Sequence, residues 1–234
     1  MHPMVWTARN SEGYPAPVGL AADAVVLTVR DGVLLVLCVR GTDASLLLPG
    51  GFVGEAEAPL DTVRRKLLEK TGVRQGYFEQ LATFADPGRD PRGWIPTVAH
   101  LALVPPQTEP TDPAAAWVRA RPAPALALDH GAILAVALDR LEGKLWWSNV
   151  VVGVLPGDFT LSQARSVYAA IAGVQYDPAT FARDLKATGL IEPSGGQRAD
   201  GRGRPAALFR FASADPAWGA GRRKRVAPSA SPHE

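Results

Sequence analysis

Lys66, Glu69 and Lys70 fall at positions i, i+3 and i+4 of a stretch that reads as a helix from Pro59 to Gly72. Proline suits the first turn of a helix and glycine the position just past its end. Between them Leu60, Val63, Leu67 and Thr71 recur at helical spacing. The three polar side chains therefore project from one face into a common volume. Three carboxylates placed this way would collect a hard, oxygen-seeking cation such as magnesium, which bridges phosphate oxygens and activates water. Two lysines and one glutamate do the reverse. The cluster moves from three negative charges to one net positive charge, repels a divalent ion and attracts a pyrophosphate directly.

The cluster lies inside a longer pattern running from Gly50 to Val73, GGFVGEAEAPLDTVRRKLLEKTGV. Gly51 is followed after five residues by Glu57 and after seven more by Arg65, then Lys-Leu-Leu-Glu-Lys-Thr-Gly-Val. This resembles the Nudix box, G-x5-E-x7-R-E-U-x-E-E-x-G-U with U bulky and apolar. The positions held here by Lys66 and Lys70 are Glu in that family. The resemblance spans roughly residues 15 to 145 by element counting. It implies an α/β/α sandwich in which the box forms loop, helix and loop. With two metal-binding glutamates replaced, the expectation is a catalytically impaired domain with no catalytic residue, no metal ligand and no required cofactor.

The elements that must position the box are legible around it. Ala24 to Val29 and Val33 to Val39 are β-rich apolar runs separated by Asp31-Gly32, a hairpin signal. Phe78 to Phe84 and Thr97 to Val104 read as further strands, the second ending in the proline-rich loop PPQTEPTDP, and Trp117 and Val118 begin another short piece. The run DHGAILAVALDRLEGKL carries helical spacing through Ile133, Leu134, Ala137, Leu138 and Leu141. A mixed sheet between helices is the economical arrangement. The chain has 234 residues, of which 47% are hydrophobic, without an apolar run of membrane length. Its start, MHPMVWTARNSEGYPAPVG, lacks the basic and apolar halves of an export signal. A single cysteine, Cys38 in an apolar run, suits a reducing cytoplasm.

Composition changes at Leu155-Pro156-Gly157, after which Asp158 or Thr160 is placed to cap a helix. Ala164, Val167, Tyr168 and Ile171 mark that helix up to Gly173, and a second begins at Asp177-Pro178 and passes Phe181, Leu185 and Thr188 to Gly189. Two short helices and a tight turn form a helix-turn-helix. Leu190-Ile191-Glu192, a tip SGGQRADGRGRP and Ala207 to Phe211 then read as strand, loop and strand, a wing. Between Arg183 and Arg225 ten lysines or arginines face four acids, an excess of six positive charges suited to a phosphate backbone. The second helix would present Thr180, Arg183 and Lys186 to bases or phosphates, and the wing tip Arg202 and Arg204. The expected organisation is a Nudix-like domain over residues 1–150, a winged helix-turn-helix over 156–213 and a basic flexible tail over 214–234.

The two halves together, with FTLSQARSVYAAIAG, FARDLKATGLIEPSGG, GRGRPAALFRF, TFADPGRDPRGW and LALDHGAIL, resemble the Nudix-related transcriptional regulators of NAD metabolism. That resemblance implies a homodimeric bacterial repressor that binds a palindromic operator in double-stranded DNA near NAD biosynthesis or salvage genes. It also implies that ADP-ribose, held by the Nudix domain, changes DNA affinity. A pocket shaped for a nucleoside diphosphate keeps its use as a sensor once hydrolysis is lost. Arg40, Lys66, Lys70, Arg89 and Arg92 are the candidates for its pyrophosphate, Phe52 or Trp94 for stacking on adenine, and Glu57 for the ribose hydroxyls. Each has a plainer role: Arg89 and Arg92 solvated in a polar turn, Trp94 packed at a rim, Glu57 bracing its loop. The rival function is a working ADP-ribose hydrolase with an appended nucleic-acid domain, its metal site rebuilt from Glu55, Glu57 and Glu69. An RNA-binding module fits less well, because the basic segment lacks interleaved aromatics.

Overall fold

The computed structural model describes residues 9, 12, 13, 17–74, 76–199 and 205–214. It divides into two compact units, Met1–Thr28 with Leu34–Asp139, and Val29–Val33 with Arg140–Glu234. No helix among the described residues is long and apolar enough to cross a membrane.

The first unit is built on β1 (Ala21–Arg30) and β2 (Val33–Arg40). Asp31 and Gly32 between them both adopt positive φ, 48° and 73°, as a two-residue hairpin of primed type requires. A parallel neighbour, β6 (Thr97–Leu103), lies on the other side of β1, and β5 (Tyr77–Phe84) pairs antiparallel with β6. The path closes with β3 (Leu46–Leu47) on β2, while β4 (Gly50–Phe52) pairs with β1 and β7 (Ala115–Arg119) with β2. Nine of the ten residues of β1 are buried, so both faces of this central strand are covered, as in a mixed sheet between layers. One layer is α1 (Pro59–Thr71), whose Val63 and Leu67 pack with Ala22, Ala24, Val26, Leu37, Val39 and Ala102. A second helix, α2 (His130–Lys144), buries Ile133, Leu134, Ala137, Leu138 and Leu141, the positions expected from its periodicity.

The second unit holds a short 3-10 turn at Val150–Gly153, then β8 (Phe159–Thr160), α3 (Leu161–Ala172), α4 (Pro178–Ala187), β9 (Ile191–Arg198) and β10 (Ala206–Phe211). The strands form a sheet in the order β8-β10-β9. Thr160, not Asp158, caps α3: its hydroxyl accepts from the Gln163 amide while the Gln163 side chain accepts from the Thr160 amide, a reciprocal capping box. Asp177 caps α4 ahead of Pro178. The core is aromatic, with Trp146 edge-on to Tyr168, Tyr176 and Phe181 at centroid separations of 5.2 to 5.6 Å.

Two features depart from the sequence reading. Two-residue strands such as β3 and β8 carry no periodicity to detect. The wing tip is also shorter than expected, because β9 continues through Gly195 and Gly196 to Arg198. Gly195 and Gly196 fall at a bulge, between the Pro193–Phe209 and Gln197–Ala207 pairs, so the strand resumes its pairing beyond them and ends only at Arg198. Arg202, Arg204 and the tail from residue 215 onward lie outside the described residues.

Gly72 illustrates why the box ends in glycine. Its φ is 75°, and a Cβ there would lie 1.9 Å from Thr111 Oγ1. Gly72→Ala is expected to cost about 1–3 kcal/mol from backbone strain and overpacking, measurable as a lowered urea midpoint with an unchanged slope.

Candidate ligand site and nucleic-acid interface

The box loop is pinned by register. Asp23 opposes Gly50, Ala22 opposes Gly51 and Ala21 opposes Phe52. A side chain at Gly50 would run into Asp23, with a Cβ 1.9 Å from Oδ1, and the stem of Lys66 lies across Gly51, 3.0 Å from the position of its Cβ. Gly50 is thus required by close approach of the β1 backbone and Asp23, whereas at Gly51 only the flexible Lys66 stem would have to give way.

From this loop α1 carries a chain of ion pairs. Oε2 of Glu57 accepts from the Gly54 amide at 2.8 Å, Thr62 Oγ1 at 2.7 Å and Arg65 Nη2 at 2.5 Å, while Oε1 accepts from Arg65 Nε at 2.7 Å. The Arg65 hydrogen bonds first, then Thr62 and the Gly54 amide, hold this carboxyl down to about 2. Arg65 also reaches Glu69 at 3.3 Å, and Lys66 Nζ donates to the other Glu69 oxygen at 2.8 Å. Those two cations, Lys66 foremost, lower the Glu69 carboxyl. Lys70 has no ion pair within 4 Å among the described residues. Loss of water around its ammonium and then repulsion by Lys66 lower its pKa, with Arg92 adding to the effect and Asp23 and Glu69 opposing it. Arg92 sits over the ring of Phe52, 5.1 Å from its centroid, and also pairs with Asp90 at 2.6 Å. Phe52 itself is 44% exposed. Phe52, Lys66, Lys70 and Arg92 therefore converge on the box face.

Behind that face lies a buried polar cluster. Asp23 accepts from Thr97 Oγ1 at 2.8 Å, with Arg89 Nη2 at 3.8 Å and His130 Nε2 at 3.9 Å. Arg89 grips Asp129 through Nε and Nη2 at 2.8 and 2.7 Å and donates from Nη1 to the Ile95 carbonyl at 2.8 Å. His130 Nδ1 accepts the Leu48 amide at 2.9 Å, which puts the proton of the neutral ring on Nε2, toward Asp23. Burial lowers the His130 pKa against the pull of Asp23 and Asp129, in keeping with that neutral form.

In the second unit, Thr180 and Arg183 lie on the exposed side of α4, opposite buried Phe181 and Leu185. The Arg183 side chain is 70% exposed and pairs with its neighbour Asp184. Lys186 leans over the Phe209 ring of β10 at 5.2 Å. Arg210 is bound to Glu192, and Arg198 to Gln163, so part of the basic excess is satisfied within the unit.

Residues 18–137 match the NUDIX domain family, and residues 151–211 match the NrtR DNA-binding winged helix domain. The ADPR responsive transcriptional repressor NtrR of Acinetobacter baylyi is 32% identical, across 86% of this chain and 85% of that protein. The chain belongs to the NrtR family. A crystal structure of Shewanella oneidensis NrtR complexed with a 27mer DNA superposes with a TM-score of 0.70 at 33% identity, over 82% of this chain and 93% of the other. A MutT/nudix family protein from Enterococcus faecalis gives 0.69 at 29% identity, over 85% and 87%.

On this NrtR-family framework, some expected ligand residues take other roles. Arg89 is not solvated: its side chain is 2% exposed and its guanidinium is committed to Asp129 and Ile95. Glu57 braces the loop and retains one open lone-pair direction, on Oε1. Trp94 bridges its own loop through Nε1 to the Ala85 carbonyl at 3.1 Å. Arg40 is exposed at the end of β2, where its backbone pairs with Leu46 of β3. Asp23, Thr97, Asp129 and His130 were missed as site residues. A carboxylate amid the apolar run AADAVVL was the available signal, since a buried charge needs partners.

Removing one member of the Arg89–Asp129 pair leaves a buried charge uncompensated, so Asp129→Asn should cost about 3–5 kcal/mol, read by chemical denaturation. The folded Glu57 carboxyl lies below its ordinary value of 4.5, so its stabilisation is full above that value and is lost as pH falls through about 2. The stability difference between wild type and Glu57→Gln should shrink over that window. A difference that stays constant down to pH 2 would contradict the Arg65 brace.

Proposed function

We propose that this chain is a DNA-binding transcriptional repressor of NAD biosynthesis or salvage genes, whose Nudix domain holds ADP-ribose intact and reports it. The single observation that carries this reading is the box face: Glu69 is neutralised by Lys66 and Arg65, and Lys70 has no ion pair among the described residues. An unpaired, partly desolvated ammonium favours an anion as its partner.

The residues present do not fit the divalent metal that the Nudix family implies. Two of the positions carry ammonium groups. Glu57 and Glu69 already accept from cations, which leaves Glu55 as the one carboxylate of the rival metal set without such a partner among the described residues. No group of three or more His, Cys, Asp or Glu placed to hold a metal occurs among the described residues. The hydrolase reading would require Lys66 and Arg65 to release both carboxylates.

For the ligand, the ADPR responsiveness of the Acinetobacter baylyi relative agrees with the chemistry of the face. Lys70, Lys66 and Arg92 supply positive charge for a pyrophosphate, Phe52 an exposed ring for adenine, and Oε1 of Glu57 an acceptor for a ribose hydroxyl. The winged helix supplies the second half of the reading, with Thr180 and Arg183 on the open side of α4 and Lys186 over the Phe209 ring; Arg202 and Arg204, which the sequence adds to this set, lie outside the described residues. We assign residues 1–150 to sensing, 156–213 to DNA reading and 214–234 to a basic arm. A homodimer in the cytoplasm, reading a two-fold-symmetric operator, fits this division. ADP-ribose would then act by favouring one dimer geometry over another.

The test is one protein preparation and two assays. With magnesium and ADP-ribose, no AMP should form. Saturating ADP-ribose should change the affinity for a duplex selected from a random-sequence library. Lys66→Glu with Lys70→Glu should weaken ADP-ribose binding, measured calorimetrically without divalent ions, by about 10- to 100-fold. Turnover of ADP-ribose, or an operator affinity blind to it, would overturn the proposal.

A further inference from the structure

Arg198 belongs by composition to the basic excess that suggests phosphate contacts, yet its surroundings give it another role. It is the last residue of β9, paired with Ala206 of β10. Its Nη1 donates to Gln163 Oε1 at 3.0 Å, and its Nη2 lies 3.5 Å from the Asp158 carbonyl. The same Gln163 oxygen accepts the Thr160 amide at 2.9 Å. Thr160 in turn pairs with Leu208 of β10. One side-chain carbonyl therefore joins the end of β8, the start of α3 and the far end of the first wing strand.

The position is electrostatically unrewarding for a cation. Helix N-termini carry partial positive charge, and a guanidinium there gains nothing from the helix dipole. What it gains is a directed hydrogen bond. The chain just before it explains why that bond matters. Gly195, with φ of 82°, and Gly196 stand within β9, and glycines in a strand interior remove side-chain packing and permit flexing. Arg198 lies two residues beyond Gly196, where a tie to α3 limits how far the outer wing can swing. A ribbon fixed before binding loses less freedom when it meets DNA. Arg183 is the contrast: largely exposed, on the open side of α4, and tied, among the described residues, to its sequence neighbour.

Resting on the reading of this domain as a DNA binder, we propose that Arg198 is a positioning residue, holding the wing in register with α3 through Gln163, and that it does not contact phosphate. Gln163 is its obligatory partner. Glutamate at Gln163 would keep the capping box and offer Arg198 a stronger acceptor.

The experiment measures anisotropy of the library-selected duplex from 50 to 200 mM salt with the full chain. Arg198→Gln is expected to weaken binding roughly 3- to 10-fold at every salt concentration while leaving the slope of log affinity against log salt at the wild-type value. Arg183→Gln calibrates the method by reducing that slope by about 1, the loss of one phosphate contact. Gln163→Glu should retain wild-type affinity. Arg198→Gln should add little to Gln163→Ala in a double-mutant cycle, with thermal unfolding confirming that each variant is folded. A slope reduced by about 1 in Arg198→Gln, full additivity in the cycle, or wild-type affinity in Arg198→Gln would overturn the assignment. Absence of duplex binding by the wild type would instead overturn the DNA-binding reading on which it rests.

Discussion

A carboxylate buried in the central strand governs the arrangement of the first unit. Asp23 sits in β1 among residues with no exposed surface, where an unsatisfied charge would cost several kcal/mol. Its partners come from every direction: Thr97 from the parallel strand, Arg89 from the loop after β5, His130 from the start of α2. The opposing residue must be glycine, because the carboxylate fills the space a side chain would take at Gly50. A box glycine, an arginine forty residues upstream of Asp129 and the first residue of α2 are thereby linked to one group. Lys70 also feels that negative charge, so the buried cluster and the exposed cationic face share one electrostatic source.

On the proposed reading, the charge pattern along α1 is what would cost a hydrolytic signature its metal-binding character while keeping its shape. Arg65 grips Glu57 on one side and Glu69 on the other, and Lys66 takes the remaining Glu69 oxygen. The Arg65–Glu69 and Lys66–Glu69 pairs are at helical spacing on the surface, where each contributes little to stability, whereas Glu57 lies ahead of the helix and is more covered. Their effect is on availability. Carboxylates held by arginine and lysine are poor ligands for a cation, and the one ammonium outside the chain of pairs is left to seek an anion. The loop geometry of the box survives because Glu57 still receives the Gly54 amide and the Thr62 hydroxyl, contacts that do not depend on residues 66 and 70.

Much of this was legible in the residues. Periodicity placed α1 to its cap, Asp31-Gly32 gave the first hairpin, and Ala164, Val167, Tyr168 and Ile171 are the buried stripe of α3. These succeed because local chemistry and burial agree over many residues. The convergence of Lys66 and Lys70 with Phe52 and Arg92 was legible in part, through the i and i+4 spacing and the glycine-rich loop. Arg89 was not, because a polar turn such as DPGRDPRGW looks solvated in one dimension. Its burial is decided by Asp129, forty residues away, and long-range charge pairing leaves no periodic trace. The same reason hides Arg198: a count of basic residues cannot separate a charge facing outward from one bound to Gln163.

That distinction bears on how the second unit can read a duplex. A wing carrying glycines within its first strand is able to follow a groove only if its base is fixed, since a ribbon loose at both ends would lose more freedom on binding than its contacts return. The sheet β8-β10-β9 supplies the fixed base, through Thr160 pairing with Leu208 and the reciprocal cap on α3. On the other side of β10, Lys186 of α4 rests over Phe209, so the aliphatic stem of a cation from the second helix packs toward the wing. Helix and ribbon are therefore joined by polar groups at one end and by a cation over an aromatic ring at the other. Such a unit presents its surface with little rearrangement.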